Sequence, residues 1–214
     1  MIKTVCCITI MLTVKNEGER WDFILNTIWR NTITLQQMPN IIVNMVQYIA
    51  NYEHYDLVIS KVISVKKTLW IGTADIKDVY IKQGRDATPF LKLLADLIRR
   101  GVEVRLIHAK EPGSNFRADF DKYPALFDGL ERALCPRVHF KLIIFDCETA
   151  YIGSANLTGA GIGMKSTDTR NFETGILTTD PTLVANAVEQ FDTVWRGAFC
   201  QRCKRKVFCS DRIN

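Results

Sequence analysis

The chain predicts an α/β fold, a mixed sheet flanked by helices, on three observations. They are a strand-helix-strand run from Thr68 to His108, a hairpin pattern from Val138 to Ser154, and a capped amphipathic helix from Asp180 to Trp195. At 214 residues, 47% hydrophobic and 24% charged, the sequence can bury one sizeable core. A mean hydropathy near zero argues against both disorder and a membrane protein.

Taken in order, the elements begin with an apolar run, Val5 to Val14, about half the length that spans a bilayer. No small-residue cleavage site follows it, and Lys15, Glu17 and Glu19 come at once. A buried strand is therefore expected, with no transmembrane anchor and a cytoplasmic location. Ile41 to Ala50 is expected as a helix, and Tyr55 to Lys66 as another, from the spacing of Val58, Ile59, Val62 and Ile63. Thr68 to Ala74 reads as a strand. Pro89 to Arg100 carries the helical stripe Leu91, Leu94, Ala95 and Ile98 and stops at Gly101; Val102 to His108 is the next strand.

Farther on, Val138 to Phe145 and Ala150 to Ser154 flank Asp146-Cys147-Glu148-Thr149, which reads as two strands and a four-residue loop. If Phe145 pairs with Ala150, Lys141 falls opposite Ser154 and His139 opposite Asn156, all on one face. Asn171 to Leu177 is expected as a strand. Asp180 is then an N-cap with Pro181 at the first helical position, and Val184, Val188, Phe191 and Val194 or Trp195 face inward.

The hairpin carries the chemistry. An imidazole beside an ammonium, a hydroxyl and an amide suits a phosphate whose non-bridging oxygens are held while a ring nitrogen attacks phosphorus, and that chemistry requires no metal. Gly153 is expected to let the backbone approach the substrate. Leu157 to Gly161 is expected to start a helical turn whose N–H groups favour the same anion.

The spacing His139-x-Lys141-x4-Asp146-x6-Gly153-Ser154-x-Asn156 resembles the HKD motif of the phospholipase D superfamily. The element order from about Tyr55 to Trp195 resembles one half of that fold. The resemblance implies a phosphodiesterase acting through a phosphohistidine on His139, with Lys141, Ser154 and Asn156 on the phosphate. It also matches Glu173 to the carboxylate that orients the catalytic histidine, fixing its tautomer. Asp146, at the hairpin tip, is expected to have a structural or hydrogen-bonding role rather than one in acid catalysis. The chain then divides into an N-terminal segment of unknown role (1–50), a phospholipase D-like catalytic domain (51–199) and a basic, cysteine-containing tail (200–214).

Histidine occurs only at 54, 108 and 139. His108-Ala109-Lys110 has Asn115 where an Asp is needed, and His54 has no lysine two positions on, so the chain holds one half-site. Members of the superfamily with a single copy build the site between two subunits. A two-fold homodimer is implied, one His139 as nucleophile and the second as general acid.

Seven cysteines without a credible secretion signal argue against a disulfide framework. Cys200, Cys203 and Cys209 follow the last helix, and Cys135 lies four residues before His139. Four thiolates suit a structural zinc ion or an iron–sulfur cluster, the competing reading being ordinary reduced thiols in a basic tail. Cys6, Cys7 and Cys147 read as core or loop thiols.

Net charge is +5, and Arg196, Arg202, Lys204, Arg205, Lys206 and Arg212 face only Asp211 near the C-terminus. That balance favours a polyanion, nucleic acid ahead of phospholipid. A phospholipase or phosphatidyltransferase on the same residues is the first alternative. A non-catalytic nucleic-acid-binding protein built on the cysteines and the tail is the second.

Overall fold

The computed structural model describes residues 12–15, 21–24, 46–77, 79–83 and 86–211. Strands β1 (Leu12–Lys15) and β2 (Trp21–Ile24) pair antiparallel and belong to a first compact unit, Met1–Val43. The rest of the expected strand from Val5, together with Cys6 and Cys7, lies outside the described residues.

The second compact unit spans Asn44–Asn214. It holds β3 (Val46–Ala50), an edge strand where a helix was expected over 41–50; positions 41–45 of that expectation lie outside the described residues. Helical residues His54–Ile59 and Ser60–Ser64 follow, wound first wide and then tight in place of a regular α-helix, and they bury Tyr55, Val58, Ile59 and Val62. Next come β4 (Thr68–Thr73), a hairpin of β5 (Tyr80–Gln83) and β6 (Asp86–Pro89), α1 (Phe90–Arg99) and β7 (Glu103–His108). Gly101, at φ +83°, ends α1 in the left-handed conformation that favours glycine.

Short helices α2 (Ser114–Phe120) and α3 (Ala125–Gly129) lead into β8 (Leu130–Leu134), β9 (Lys141–Phe145), β10 (Thr149–Gly153), β11 (Thr174–Thr178) and α4 (Pro181–Trp195). The Asp180 carboxylate caps α4, accepting from the N–H groups of Thr182 and Leu183 at 2.9 Å each.

The seven-stranded sheet runs β3-β11-β10-β9-β4-β7-β8; the β4-β7-β8 ladder is parallel and the remainder antiparallel. Two apolar clusters cover it. One packs Ile71, Ile143, Phe145 and Tyr151 against α1 and the 54–64 helix; the other packs Leu142, Ile144, Ala150 and Val138 against Phe191 of α4. One end of the sheet gathers the start of β9, the end of β10, the start of β11 and the end of β4.

The hairpin register differs from the expected one. Phe145 pairs with Thr149, so Gly153 rather than Ser154 stands opposite Lys141. Asp146 and Cys147 both adopt positive φ (53° and 54°), which closes the turn one residue sooner.

Candidate active site

Alternation fixes where the histidine points. Val138 and Phe140 pack with the α4 cluster, and the Phe140 ring lies so close over Gly72 that a Cβ there would sit 2.1 Å from it. His139 and Lys141 therefore turn to the other side, and His139 is exposed to solvent. Lys141, almost fully buried, places Nζ 3.3 Å from His139 Nδ1 and donates to the His139 carbonyl oxygen at 2.7 Å. Burial holds the Lys141 pKa below the ordinary lysine value, with the Glu173 charge acting the other way.

Ser154 and Asn156 reach this end by leaving the pleat, since β10 stops at Gly153. The Ser154 hydroxyl donates to the Glu173 carboxylate and accepts from Thr174 N–H at 3.0 Å. Glu173 also accepts from Asn171 Nδ2 at 3.0 Å, and its backbone is tied to Asn51 in both directions. Glu173 is bonded to Ser154 and not to His139 of its own chain. Asn156 Oδ1 accepts from Asp75 N–H at 3.2 Å and Thr73 Oγ1 at 3.4 Å. Sequence reasoning missed Asn51, which holds the Glu173 backbone, and Thr73, Asp75 and Asn171, which hold the Asn156 and Glu173 side chains. Each lies outside the motif, and no local pattern marks it.

Asp146 is not brought to this group. It lies at the opposite end of β9, where its carboxylate accepts from the N–H groups of Lys66, Lys67 and Thr68 at 3.1, 2.7 and 3.0 Å. Burial alone would raise its pKa, but these bonds and the Lys67 charge hold it below the ordinary carboxylate value.

At Gly153 a Cβ would lie 2.2 Å from the Tyr151 hydroxyl and 2.8 Å from Thr174 O, so the packing of protein atoms itself requires glycine there. Beyond Asn156, the N–H groups of Leu157, Thr158 and Gly161 are taken by Thr73 Oγ1, Asn156 O and Thr158 Oγ1, which removes them from anion binding.

His54 and His108 are both buried. His108 is fully bonded, Nδ1 to Lys110 O at 2.7 Å and Nε2 accepting from Arg132 Nε at 2.9 Å; burial first, then the nearby Arg132 charge, lower its pKa. His54 lies edge-on to Tyr151, with Nδ1 3.0 Å from Asn51 O and Nε2 without a protein partner.

Beside Asn156, a groove of about 570 Å³ is bordered by Asp75, Thr158 and the exposed lysines Lys77, Lys110 and Lys165. Glu111 also borders it, but is engaged by Arg132 at 3.0 Å and Arg117 at 3.2 Å. On the far side of the His139 loop, Cys135, Cys200, Cys203 and Cys209 line a single cavity of about 190 Å³. Among the described residues, no three histidine, cysteine or carboxylate side chains are grouped closely enough to hold a metal ion as they stand. Cys147 is an exposed turn thiol.

A family model described as "Cardiolipin synthase, PLD-like domain" matches residues 58–195, well over half of the chain. The chain belongs to the phospholipase D-like family. Among solved structures, Nuc, a phospholipase D family member from Salmonella typhimurium, matches at 23% identity and a TM-score of 0.53, covering 71% of this chain and 94% of that one. NucT from Helicobacter pylori matches at 17% identity and a TM-score of 0.51, covering 71% and 96%. No curated protein sequence matches the chain. Among the described residues no helix is long and apolar enough to cross a membrane.

Proposed function

We propose that this protein is a homodimeric phosphodiesterase that cleaves nucleic acid through a phosphohistidine on His139. The observation that carries the reading is the solvent-facing His139 beside the buried Lys141, at the sheet end where Ser154, Asn156 and Glu173 gather. A ring nitrogen of His139 attacks phosphorus, and the bond to the leaving oxygen breaks. Lys141 and the Asn156 side-chain amide, joined by the Ser154 hydroxyl once it turns from Glu173, hold the non-bridging oxygens, supplying charge and donors where charge accumulates.

The leaving oxygen needs a proton, and the chain's other two histidines are buried at 1% and 0% exposure. A second copy of His139 supplies it as imidazolium. That imidazole, now neutral, then takes a proton from water, whose oxygen attacks phosphorus and releases the first His139. In such a dimer Glu173, unbonded to its own chain's imidazole, is available to the partner's His139. The basic groove of Lys77, Lys110 and Lys165 favours a polyanionic substrate running past the scissile phosphate.

The test is cleavage of an end-labelled single-stranded oligonucleotide by wild type and His139→Ala, each with and without EDTA, with the mass of each protein checked in solution. Cleavage by a wild-type dimer alone, persisting in EDTA, is expected; retained cleavage in a folded His139→Ala protein would overturn the reading. A phospholipid substrate is the second reading, favoured by the description of the matching family model. A headgroup-release assay on anionic vesicles separates the two. If neither substrate is turned over, binding of oligonucleotide that survives His139→Ala would indicate a non-catalytic role.

A further inference from the structure

The cavity beyond the His139 loop brings together side chains that catalysis does not use. Cys135 follows β8, its N–H donating to His108 O at 2.8 Å. Cys200, Cys203 and Cys209 sit on the tail after α4, distant from Cys135 in sequence. The tail folds back onto the end of β8: Asp211 accepts from Leu134 N–H at 2.6 Å, and Cys209 Sγ reaches Leu134 O at 3.5 Å. Four of the five described cysteines, all half-buried and free, therefore face one space.

The composition of the wall is selective. Among the described residues, Arg137 and Lys206 are its only charged members, and it contains no carboxylate and no histidine. Hard cations such as magnesium or calcium find no oxygen cage there, whereas soft, thiolate-seeking metals find four sulfurs and two compensating positive charges.

How the tail is held points the same way. Residues 196–211 contain only turns and one three-residue helical turn, and they leave Phe199, Val207 and Phe208 largely exposed. A segment that orders this much backbone while burying this little apolar surface is typical of metal-stapled folds.

We propose that Cys135, Cys200, Cys203 and Cys209 together ligate a metal centre, a zinc ion or an iron–sulfur cluster. The sulfurs line the wall of one cavity without closing on a common point, so metal binding would have to draw them together. The centre joins the tail to the segment from Cys135 to Phe140, four of whose other members, Pro136, Arg137, Val138 and Phe140, also form the wall. It thereby braces the loop that presents His139. The proposal stands apart from the catalytic reading.

The experiment is metal analysis of the full chain purified without oxygen, before and after reconstitution with zinc or with iron and sulfide. About one zinc per chain, with no visible colour, identifies a mononuclear site; iron with matching acid-labile sulfide and absorption near 400 nm, roughly, identifies a cluster. Either result supports the centre when Cys135→Ser and Cys203→Ser each lower bound metal about tenfold while Cys147→Ser leaves it unchanged. Metal below about a tenth of an equivalent after both reconstitutions overturns the proposal, as does full metal retention in the Cys135 and Cys203 variants. Because wild-type metal content is itself decisive, a variant that fails to fold does not leave the matter open.

Discussion

Lys141 Nζ stands 3.3 Å from Nδ1 of His139 and 2.7 Å from the same residue's carbonyl oxygen, so one buried ammonium contacts both the ring and the backbone of the proposed nucleophile. The lysine is committed to this end of the sheet before any phosphate arrives. Its surroundings, desolvated and only partly compensated by Glu173, make the charge easier to lose than on a free lysine.

Phosphate binding should report that loss. In the proposed mechanism the protonated form of Lys141 binds the anion, so affinity for inorganic phosphate or vanadate is expected to fall as pH rises through a value below the ordinary lysine range. Lys141→Arg keeps its charge throughout and should remove this limb. Titration calorimetry between about pH 7 and 10.5 measures it. Matching profiles for the two proteins would count against a role for the lysine charge.

Asp146 yields a stability prediction with a definite sign. Its folded pKa is depressed by the N–H groups of Lys66, Lys67 and Thr68, so its contribution is present above the unfolded carboxylate pKa and is lost as pH falls through the folded value. Asp146→Asn retains tolerance of the positive φ but loses the charge-assisted bonds, a cost of about 1–3 kcal/mol at neutral pH. The difference in unfolding free energy from wild type should shrink below about pH 4. Turnover by the folded variant should stay within about threefold of wild type, well short of the losses that accompany removal of an acid–base group. A larger loss of kcat with stability unchanged would return Asp146 to the chemistry.

The fate of the hairpin illustrates what the sequence made legible. Long segments with their own caps were readable: α1 with its stripe and Gly101, and α4 with Asp180 and Pro181, because each signal is local. The candidate phosphate-binding residues were readable as a motif. Its register was not, because the Asp146-Cys147 turn is anchored by backbone donors from Lys66 to Thr68, far off in sequence. The β3 strand was hidden for a related reason. It is five residues long, and its apolar Val46 and Tyr48 are exposed, so its pattern marks no buried face. The Ser154–Glu173 bond depends on how two strand ends meet, which no pattern in either segment encodes.

Gly153 makes a separate prediction. Since the Tyr151 hydroxyl and Thr174 O occupy the place of a side chain, Gly153→Ala should cost about 1–3 kcal/mol of stability through overpacking. Tyr151→Phe in the same chain should recover part of it, the ring carbon Cζ of residue 151 and the Thr174 carbonyl still being in the way. Chemical denaturation of the two single variants and the double variant gives the coupling. Simple additivity would show that the hydroxyl is not what excludes a larger residue.

Glu173 and the lysine groove separate chemistry from binding. Glu173→Gln keeps an acceptor for the Ser154 hydroxyl but removes the carboxylate charge, so kcat on an oligonucleotide should fall by about 10²-fold or more while KM changes little. Changing Lys77, Lys110 and Lys165 together to Gln should do the reverse. Binding of a single-stranded oligonucleotide to the His139→Ala protein should weaken, and the slope of log affinity against log salt should become shallower by about two, at roughly 0.7 for each phosphate that a lysine no longer neutralises. Fluorescence anisotropy across a salt series measures both effects. An unchanged slope would remove the groove from the substrate path even if the protein cleaves nucleic acid, because its three lysines would then neutralise no phosphate.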